Sequence, residues 1–541
     1  MKKNEIYRAA VSGFTSEGLG VCRVDGCAVF VPNAVPGEVY DLRITHVGKT
    51  AAHGKIETII QRSPHRVNRR CPYAKQCGGC EFWHMDYETE CAIKRQRVLD
   101  ALNRLGGQNI ENLTLTGAPS CEDYRNKAQF PVAPAKSGIE AGFFKKGTHE
   151  LIPIDRCLIQ PECADLAKQT VLQWARMYRV SAYDEESGRG LLRHIFVRHA
   201  AATGEILVCL VVNGEKLPHE KELIDLLCER IEGLRSVALN VNTRRGNAVL
   251  GEETRILWGA DAIGDILCGL HFRISPRSFY QVNRTQAEVL YGKAIAAADL
   301  HGTETVLDLY CGTGTITLCL ARHAKTVIGV EVVDSAIEDA KRNAEQNGIK
   351  NARFFCADAG EAAQRLCTEG IRPDVIVVDP PRKGLSADVI DAIEKMSPDR
   401  VVYVSCDPAT LARDVKLLCT KNYRLIHAEA VDLFPRCAHV ETVVSLLRKT
   451  PDAYVEIEVQ TSELDLTPAE AEATYDEIKD YILEHHGVKV SSLYIAQVKE
   501  KMGIRVRENC NKSKKTDAKQ LQCPKEKEKM IVEALKHFKM I

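Results

Sequence analysis

Val306-Leu307-Asp308-Leu309-Tyr310-Cys311-Gly312-Thr313-Gly314-Thr315 reads as an apolar strand that runs into a glycine turn and then a helix. Glycines at the turn let a ligand approach the backbone, and the helix N-terminus offers free N–H groups. Around this stretch, apolar runs alternate with helical patterns from residue 276 to 448, with strands expected at Thr305–Leu309, 326–330, Ala352–Cys356, Val375–Val378, 401–404 and 443–447. That alternation predicts an α/β fold, a doubly wound Rossmann-like sheet.

The turn lacks the third glycine of the dinucleotide fingerprint, which disfavours a pyrophosphate. Glu331 follows 17 residues after Gly314, at the end of the next strand. A carboxylate there can accept both hydroxyls of a ribose. With Asp358 near the third strand end, the set fits the S-adenosylmethionine class, Gly312 and Gly314 forming the turn. Asp379-Pro380-Pro381-Arg382-Lys383-Gly384 follows the fourth strand and places a carboxylate at the same rim.

The strand at 401–404 delivers Ser405-Cys406-Asp407-Pro408, and Glu441 is expected just before the last strand. A thiol and a carboxylate beside a methyl donor suggest one reaction. C5 of uracil is too weakly nucleophilic to take a methyl group directly. A thiolate adding at C6 makes C5 an enolate carbon. A base must then remove the C5 proton so that the thiolate can leave. Cys406 fits the nucleophile and Glu441 the base.

Of 21 cysteines, Cys71, Cys77 and Cys80 form a tight group with Gly78-Gly79 between two of them, and Cys157 comes later. An odd cysteine count without a secretory apolar run points to a reducing compartment. Four thiolates suit either a tetrahedral zinc or a [4Fe–4S] cluster, and spacing leaves both open. Cys163 competes with Cys157 as the fourth ligand.

The 73 basic and 73 acidic residues cancel, which taken whole disfavours a nucleic-acid partner. By segment they do not cancel: residues 1–160 are net +5, 161–450 net −3, 451–485 net −10 and 486–541 net +8. Five short alternating runs in residues 5–60 predict a small OB-like β-barrel. Arg66, Arg69, Arg70 and Lys75, the group Lys94, Arg95 and Arg97, and Tyr124-Arg125-Asn126-Lys127 are candidate RNA contacts. Helices are expected at 469–486, 491–503 and 525–538. No apolar run reaches the ~18 residues of a membrane span, so no membrane partner and a cytoplasmic location are expected.

Ser278-Phe279-Tyr280-Gln281-Val282-Asn283, Asp308 to Gly314, Asp379-Pro380-Pro381-Arg382, Ser405-Cys406-Asp407-Pro408 and His439-Val440-Glu441 together resemble the RNA uracil-5 methyltransferases. The resemblance covers residues 1–450. It implies Cys406 as nucleophile, Glu441 as base, and Gln281, Tyr310, Glu331 and Asp379 around S-adenosylmethionine, with Asp379 within reach of the uracil edge and Phe279 near the target base. Asp407 stands where Asn is common, and Cys437 where a hydroxyl residue is common. The branch acting on 23S ribosomal RNA carries this cysteine pattern with a [4Fe–4S] cluster, which implies iron rather than zinc on Cys71, Cys77, Cys80 and Cys157. Glu17-Gly18-Leu19-Gly20-Val21 and Val29-Phe30-Val31-Pro32 resemble a TRAM domain. The expected organisation is a TRAM barrel at 1–62, a central Fe–S domain at 63–275, a methyltransferase domain at 276–450 and a helical extension at 451–541, as a monomer. The alternatives are the same chemistry on transfer RNA, an amino-group methyltransferase, and a non-catalytic Fe–S RNA-binding protein.

Overall fold

The glycine turn lies on an eight-stranded sheet whose order is Ala352–Cys356, Thr326–Glu331, Thr305–Leu309, Val375–Val378, Arg400–Ser405, Glu441–Arg448, Tyr423–Val431 and Thr114–Thr116. This is a computed structural model, and it describes residues 1–136, 138–449, 475–502, 504, 523–538 and 540–541. The first five of these strands run parallel, and Glu441–Arg448 lies antiparallel to its neighbours. Strand order reverses at Thr305–Leu309, which places the glycine turn at a switch point, where such sheets open a crevice.

The central strands are apolar throughout because both faces are covered. In Val375–Val378 every residue is buried, and alternate side chains enter two different cores: Val375 and Val377 one, Ile376 and Val378 the other. Two strands were not expected from sequence. Tyr423–Val431 carries Arg424, His427 and Glu429 and has a register shift between Leu425 and His427, so no clean apolar run marks it. Thr114–Thr116 is only three residues long. The last strand also begins earlier than expected, so Glu441 is its first residue rather than a residue before it.

At the N-terminus, Ile6–Phe14, Gly20–Val24, Cys27–Val31, Val39–Val47 and Ala51–Gln61 close into a five-stranded barrel, as expected. The alternation that forms it is plain in one strand: Tyr40, Leu42 and Ile44 are buried while Asp41 and Arg43 face outward, each in an ion pair. A seven-stranded sheet follows, built from Lys127–Ala135, Gly138–Phe144, Leu151–Pro153, Leu192–His199, Ile206–Val212, Leu234–Val241 and Glu253–Gly259. Helices Glu162–Met177 and Glu220–Arg230 cover one face. Leu207, Cys209 and Val211 on the other face share a core with Val306, Leu318 and Val377 of the glycine-turn half.

The chain divides into two compact units at residue 450. In the second, Tyr475–His486, Ser492–Lys501 and Lys525–His537 pack around Ile478, Ile482, Ile495, Val498, Ile531 and Leu535. Residues 469–474 of the expected acidic helix, and the acidic stretch before them, lie outside the described residues.

Ile376→Ala removes a fully buried side chain from the middle of the parallel sheet. It is expected to destabilise the chain by ~2–5 kcal/mol, measured as a lower denaturation midpoint in urea.

Candidate active site and cysteine cavity

Sheet register brings the two chemical groups together. Ser405 pairs with Thr442 across the antiparallel strands. One step further along, Cys406 therefore lies opposite Glu441. Asp407 caps the helix Pro408–Thr420, accepting from Ala409 N at 2.9 Å and Thr410 N at 3.0 Å. Asp and Asn both cap well, so this departure from the family pattern keeps the turn that presents Cys406.

A cavity of about 620 Å³ gathers Phe279, Gln281, Tyr310, Gly312, Glu331, Asp379, Cys406 and Glu441, with Arg382 and His439 at its wall. The sequence placed these residues on six separate segments, and the fold joins them all. Glu331 accepts from Gly312 N at 3.2 Å and Val333 N at 3.0 Å, which fixes its carboxylate beside the turn. Gly314 has φ +82°, and a Cβ there would press on Ala340 and Phe354. Asp358 also lines the cavity, but it caps the helix Ala359–Thr368 through Gly360 N and Glu361 N. Phe279 is 63% exposed, an unusual state for a large ring and suited to stacking.

Three carboxyls converge here with little water. Burial pushes Glu441 up to about 8, with Asp379 adding to the effect and Arg382 opposing it. Burial alone lifts Asp379 to about 7. Asp308, beneath the turn, also rises to about 7 through burial, against a hydrogen bond from Thr317. Its Oδ1 is buried without a partner. The Cys406 thiol is raised to about 11 by burial and then by Glu441 and Asp379. Arg382 Nη2 lies 3.2 Å from a ring nitrogen of His439, whose pKa falls to about 4 through burial and nearby cations.

The four predicted cysteines surround a second cavity of about 340 Å³, together with Trp83, Arg125, Lys127 and Gln160. Cys163 instead packs against the core of the seven-stranded sheet. Among the described residues no three His, Cys, Asp or Glu side chains are already drawn together as a metal site. The lining still has the chemistry of an anionic cluster. Trp83 Nε1 and Arg125 Nε are buried donors without partners. Lys127 is pushed down to about 8 by burial and by Arg198 and Arg125.

The proposed RNA contacts need correction. Lys94 is fully buried, with Nζ 2.7 Å from Glu90 Oε1, 2.8 Å from Asp432 Oδ1 and 3.1 Å from Phe434 O. Arg97 is largely buried and donates to Ala438 O. Arg66 forks onto buried Glu38 at 2.7 Å. Tyr124 donates to Pro435 O at 3.0 Å, and Arg125 and Lys127 line the cysteine cavity. Arg70, Lys75 and Arg95 are exposed. The Glu90–Lys94 spacing of four was the available signal for one buried pair. Asp432, 338 residues from Lys94, left none.

A sequence model of the tRNA (uracil-5-)-methyltransferase family matches residues 87–449, and a TRAM domain model matches residues 2–56. The chain belongs to the tRNA (uracil-5-)-methyltransferase family. It is 44% identical over 447 residues to an RNA methyltransferase of Halalkalibacterium halodurans, covering 82% of this chain and 98% of that protein. A Clostridium tetani RNA methyltransferase is 43% identical over 444 residues, covering 82% and 96%. Among solved structures, the Pyrococcus abyssi tRNA (uracil-54, C5)-methyltransferase in complex with S-adenosyl-L-homocysteine aligns with TM-score 0.66 and 27% identity, over 82% of this chain and 100% of that one. The family accounts for the expected enzyme class, and the TRAM match for the barrel. No helix among the described residues is long and apolar enough to cross a membrane.

Lys94→Met leaves Glu90 and Asp432 buried without their cation. It is expected to cost ~3–5 kcal/mol of stability, read from denaturation midpoints. The salt dependence of RNA affinity should stay as in the parent, because Lys94 reaches no phosphate; a shallower salt slope would contradict that placement.

Proposed function

We propose that this enzyme methylates C5 of a uridine in RNA with S-adenosylmethionine, through a covalent bond between Cys406 and C6. The observation that carries this reading is the placement of Cys406 opposite Glu441, in one cavity with the glycine turn and Glu331. The solved relative's bound S-adenosyl-L-homocysteine supports the same cofactor. Glu331 would hold the ribose hydroxyls, and Gln281, Tyr310, Gly312 and Gly314 would frame the rest.

Ionisation proceeds in sequence, because the cavity disfavours two negative charges. With Glu441 raised to about 8, its carboxyl is largely protonated at neutral pH, so it does not repel the Cys406 thiolate. Addition of that thiolate to C6 moves the negative charge onto the ring, and C5 then takes the methyl group. With that charge spent, Glu441 releases its proton to solvent, the one proton the overall reaction liberates, and its carboxylate takes the C5 proton as the carbon–sulfur bond breaks, which restores the Cys406 thiolate and the protonated carboxyl. The target base must first leave its stack, and exposed Phe279 is placed to receive it.

Cys71, Cys77, Cys80 and Cys157 would hold a [4Fe–4S] cluster. A cavity of about 340 Å³ is many times the ~15 Å³ that suffices for one water, room for a multi-atom group rather than one zinc ion. Unpartnered Trp83 and Arg125 donors suit cluster sulfurs. Methyl transfer consumes no electron, so the cluster's part is structural or RNA-orienting. The cysteine pattern favours 23S ribosomal RNA as substrate in the cytoplasm, while the likeness to the Pyrococcus abyssi tRNA methyltransferase favours transfer RNA. Mapping 5-methyluridine in both RNAs of a deletion strain decides between them.

Two measurements test the chemistry. With RNA containing 5-fluorouridine, fluorine cannot leave C5 as a proton does, so a stable adduct through Cys406 should accumulate on the parent and be absent from Cys406→Ala. Active enzyme without an adduct overturns the covalent mechanism. In addition, kcat/KM should rise with pH through about 8 as the Cys406–Glu441 pair, which shares one negative charge, loses its first proton, since this profile reports the free enzyme. Glu441→Gln should lose at least ~100-fold in turnover while still forming the adduct.

A further inference from the structure

The strand Leu234–Val241 ends in a loop, residues 242–252, that has no part in the chemistry above. Two buried asparagines hold it. Asn240 Nδ2 donates to Gly251 O at 3.1 Å and Glu253 O at 3.0 Å, and its Oδ1 accepts from Gly251 N at 2.6 Å. Asn242 Nδ2 donates to Ala248 O at 2.7 Å and Val249 O at 3.0 Å. From two strands away in the sheet, Arg193 Nη1 donates to Asn242 O at 2.6 Å and Arg244 O at 2.8 Å. The tip fixed in this way, residues 243–248, is exposed. Exposed loops set on a rigid scaffold are where binding groups concentrate.

Arg193, Arg245 and Asn247 line a cavity of about 140 Å³ beside Tyr183. Arg193 is 4% exposed and lies 4.3 Å from the centroid of the Tyr183 ring, yet it has no carboxylate partner among the described residues. Glu185 also lines the cavity, with Oε2 2.7 Å from His149 Nδ1. Two arginines against one carboxylate leave the lining net positive. The far end of the loop meets the active site. Arg277 Nη1 donates to Glu252 O at 2.8 Å, and Arg277, Thr254 and Phe279 line one groove of about 570 Å³. Arg244 pairs with the same Glu252 at 2.8 Å, both side chains being largely exposed. The groove also carries acids: Asp261 and Asp339 hold Arg273, and Asp334 and Glu338 sit on the helix Asp334–Gln346. The cationic path from Phe279 therefore runs through Arg277 and Arg244 to the cavity.

We propose that this cavity is a phosphate subsite for the substrate RNA, in which Arg193, Arg245 and Asn247 hold the backbone of a nucleotide flanking the target uridine. The proposal rests on the reading of the enzyme as one that takes a uridine out of folded RNA onto Phe279. Extrusion costs unstacking and unpairing energy, which contacts to the flanking backbone offset. A buried guanidinium with only carbonyls and a ring beside it gains a counter-charge from a phosphate, whose oxygens match its paired donors. Such contacts position a strand without reading its sequence. The loop therefore acts on RNA affinity and leaves the methyl transfer itself unchanged.

The test uses the full chain with ribosomal and transfer RNA from a deletion strain, and formation of 5-methyluridine is measured first on the parent. If the parent makes none, the enzyme reading and this proposal fall together, whereas a failure of the subsite alone shows only in the variants. Arg245→Gln is compared with Arg424→Gln, an exposed cation at the sheet end opposite the crevice. Arg245→Gln should raise KM for RNA several-fold with kcat near the parent's. It should also make the slope of log affinity against log salt shallower by ~0.7–0.9, the counterion release of one phosphate. Arg245→Lys should keep most of that slope. Asn247→Asp, which brings a charge of the wrong sign, should raise KM as well. Arg424→Gln should match the parent. Parental KM and slope in Arg245→Gln overturn the proposal. An equal loss in Arg424→Gln also overturns it, because a general field rather than a subsite is then responsible. Inorganic phosphate at constant ionic strength separates the two sources of the anion. A rise in the parent's melting temperature that Arg245→Gln abolishes, with equal RNA affinity in both, assigns the cavity to free phosphate and overturns the RNA subsite.

Discussion

A single buried ammonium holds the catalytic rim in place. Lys94 lies out of water between Glu90 and Asp432, both fully buried, and also donates to Phe434 O. Ions in such a setting persist only when every partner is supplied. Tyr87 donates to Asp432, and Arg436 donates to Glu90 through its backbone and side chain. The network clamps the helix Tyr87–Asp100 to the segment 432–438. That segment leads directly into the strand starting at Glu441, so the network fixes the position of that carboxyl.

The reversed direction of that strand is the second constraint. Parallel strands deliver their C-terminal ends to the crevice, which is how Asp379 and Cys406 arrive there. An antiparallel strand delivers its N-terminal end to the same rim. Glu441 thus sits on a rigid element instead of a loop, packed into the core by Val440 and Val443. Rigidity has an electrostatic cost: three carboxyls line one cavity, and burial raises the pKa of each. In the proposed mechanism, a site that stabilises one negative charge at a time would pass it from thiolate to ring to carboxylate without accumulating two.

Much of this was legible in the chain because it depends on local pattern. Continuous apolar runs marked the central strands, and alternation marked the barrel. Glu331, Asp379, Cys406 and Glu441 were readable because strand ends are where such sheets present side chains. What failed was non-local. Tyr423–Val431 escaped because its outward polar residues and a register shift break the pattern. Lys94, Arg97 and Arg66 looked like solvent-facing cations because a sequence window shows charge without burial. Their partners Asp432, Ala438 and Glu38 lie far away in sequence. Removing them from the RNA-facing set leaves Arg70, Lys75 and Arg95 as the exposed cations of those groups.

The same reasoning explains why the cysteine loop is placed where it is. Residues 71–80 contain two adjacent glycines and few apolar side chains, too little to build a core of their own. The loop is instead held from both sides. Gly78 N donates to Phe144 O at 3.0 Å and Cys77 bridges to Lys145, on the seven-stranded sheet; the residues just after it bond to Arg436. The segment is thus a strap between the seven-stranded sheet and the residues around Arg436, with little packing of its own to stiffen it. Four sulfurs around one cavity would supply the means if they hold the proposed cluster, because binding it there would convert metal affinity into order of the loop. Through Arg436 and Ala438, that order would reach the segment on which Glu441 depends.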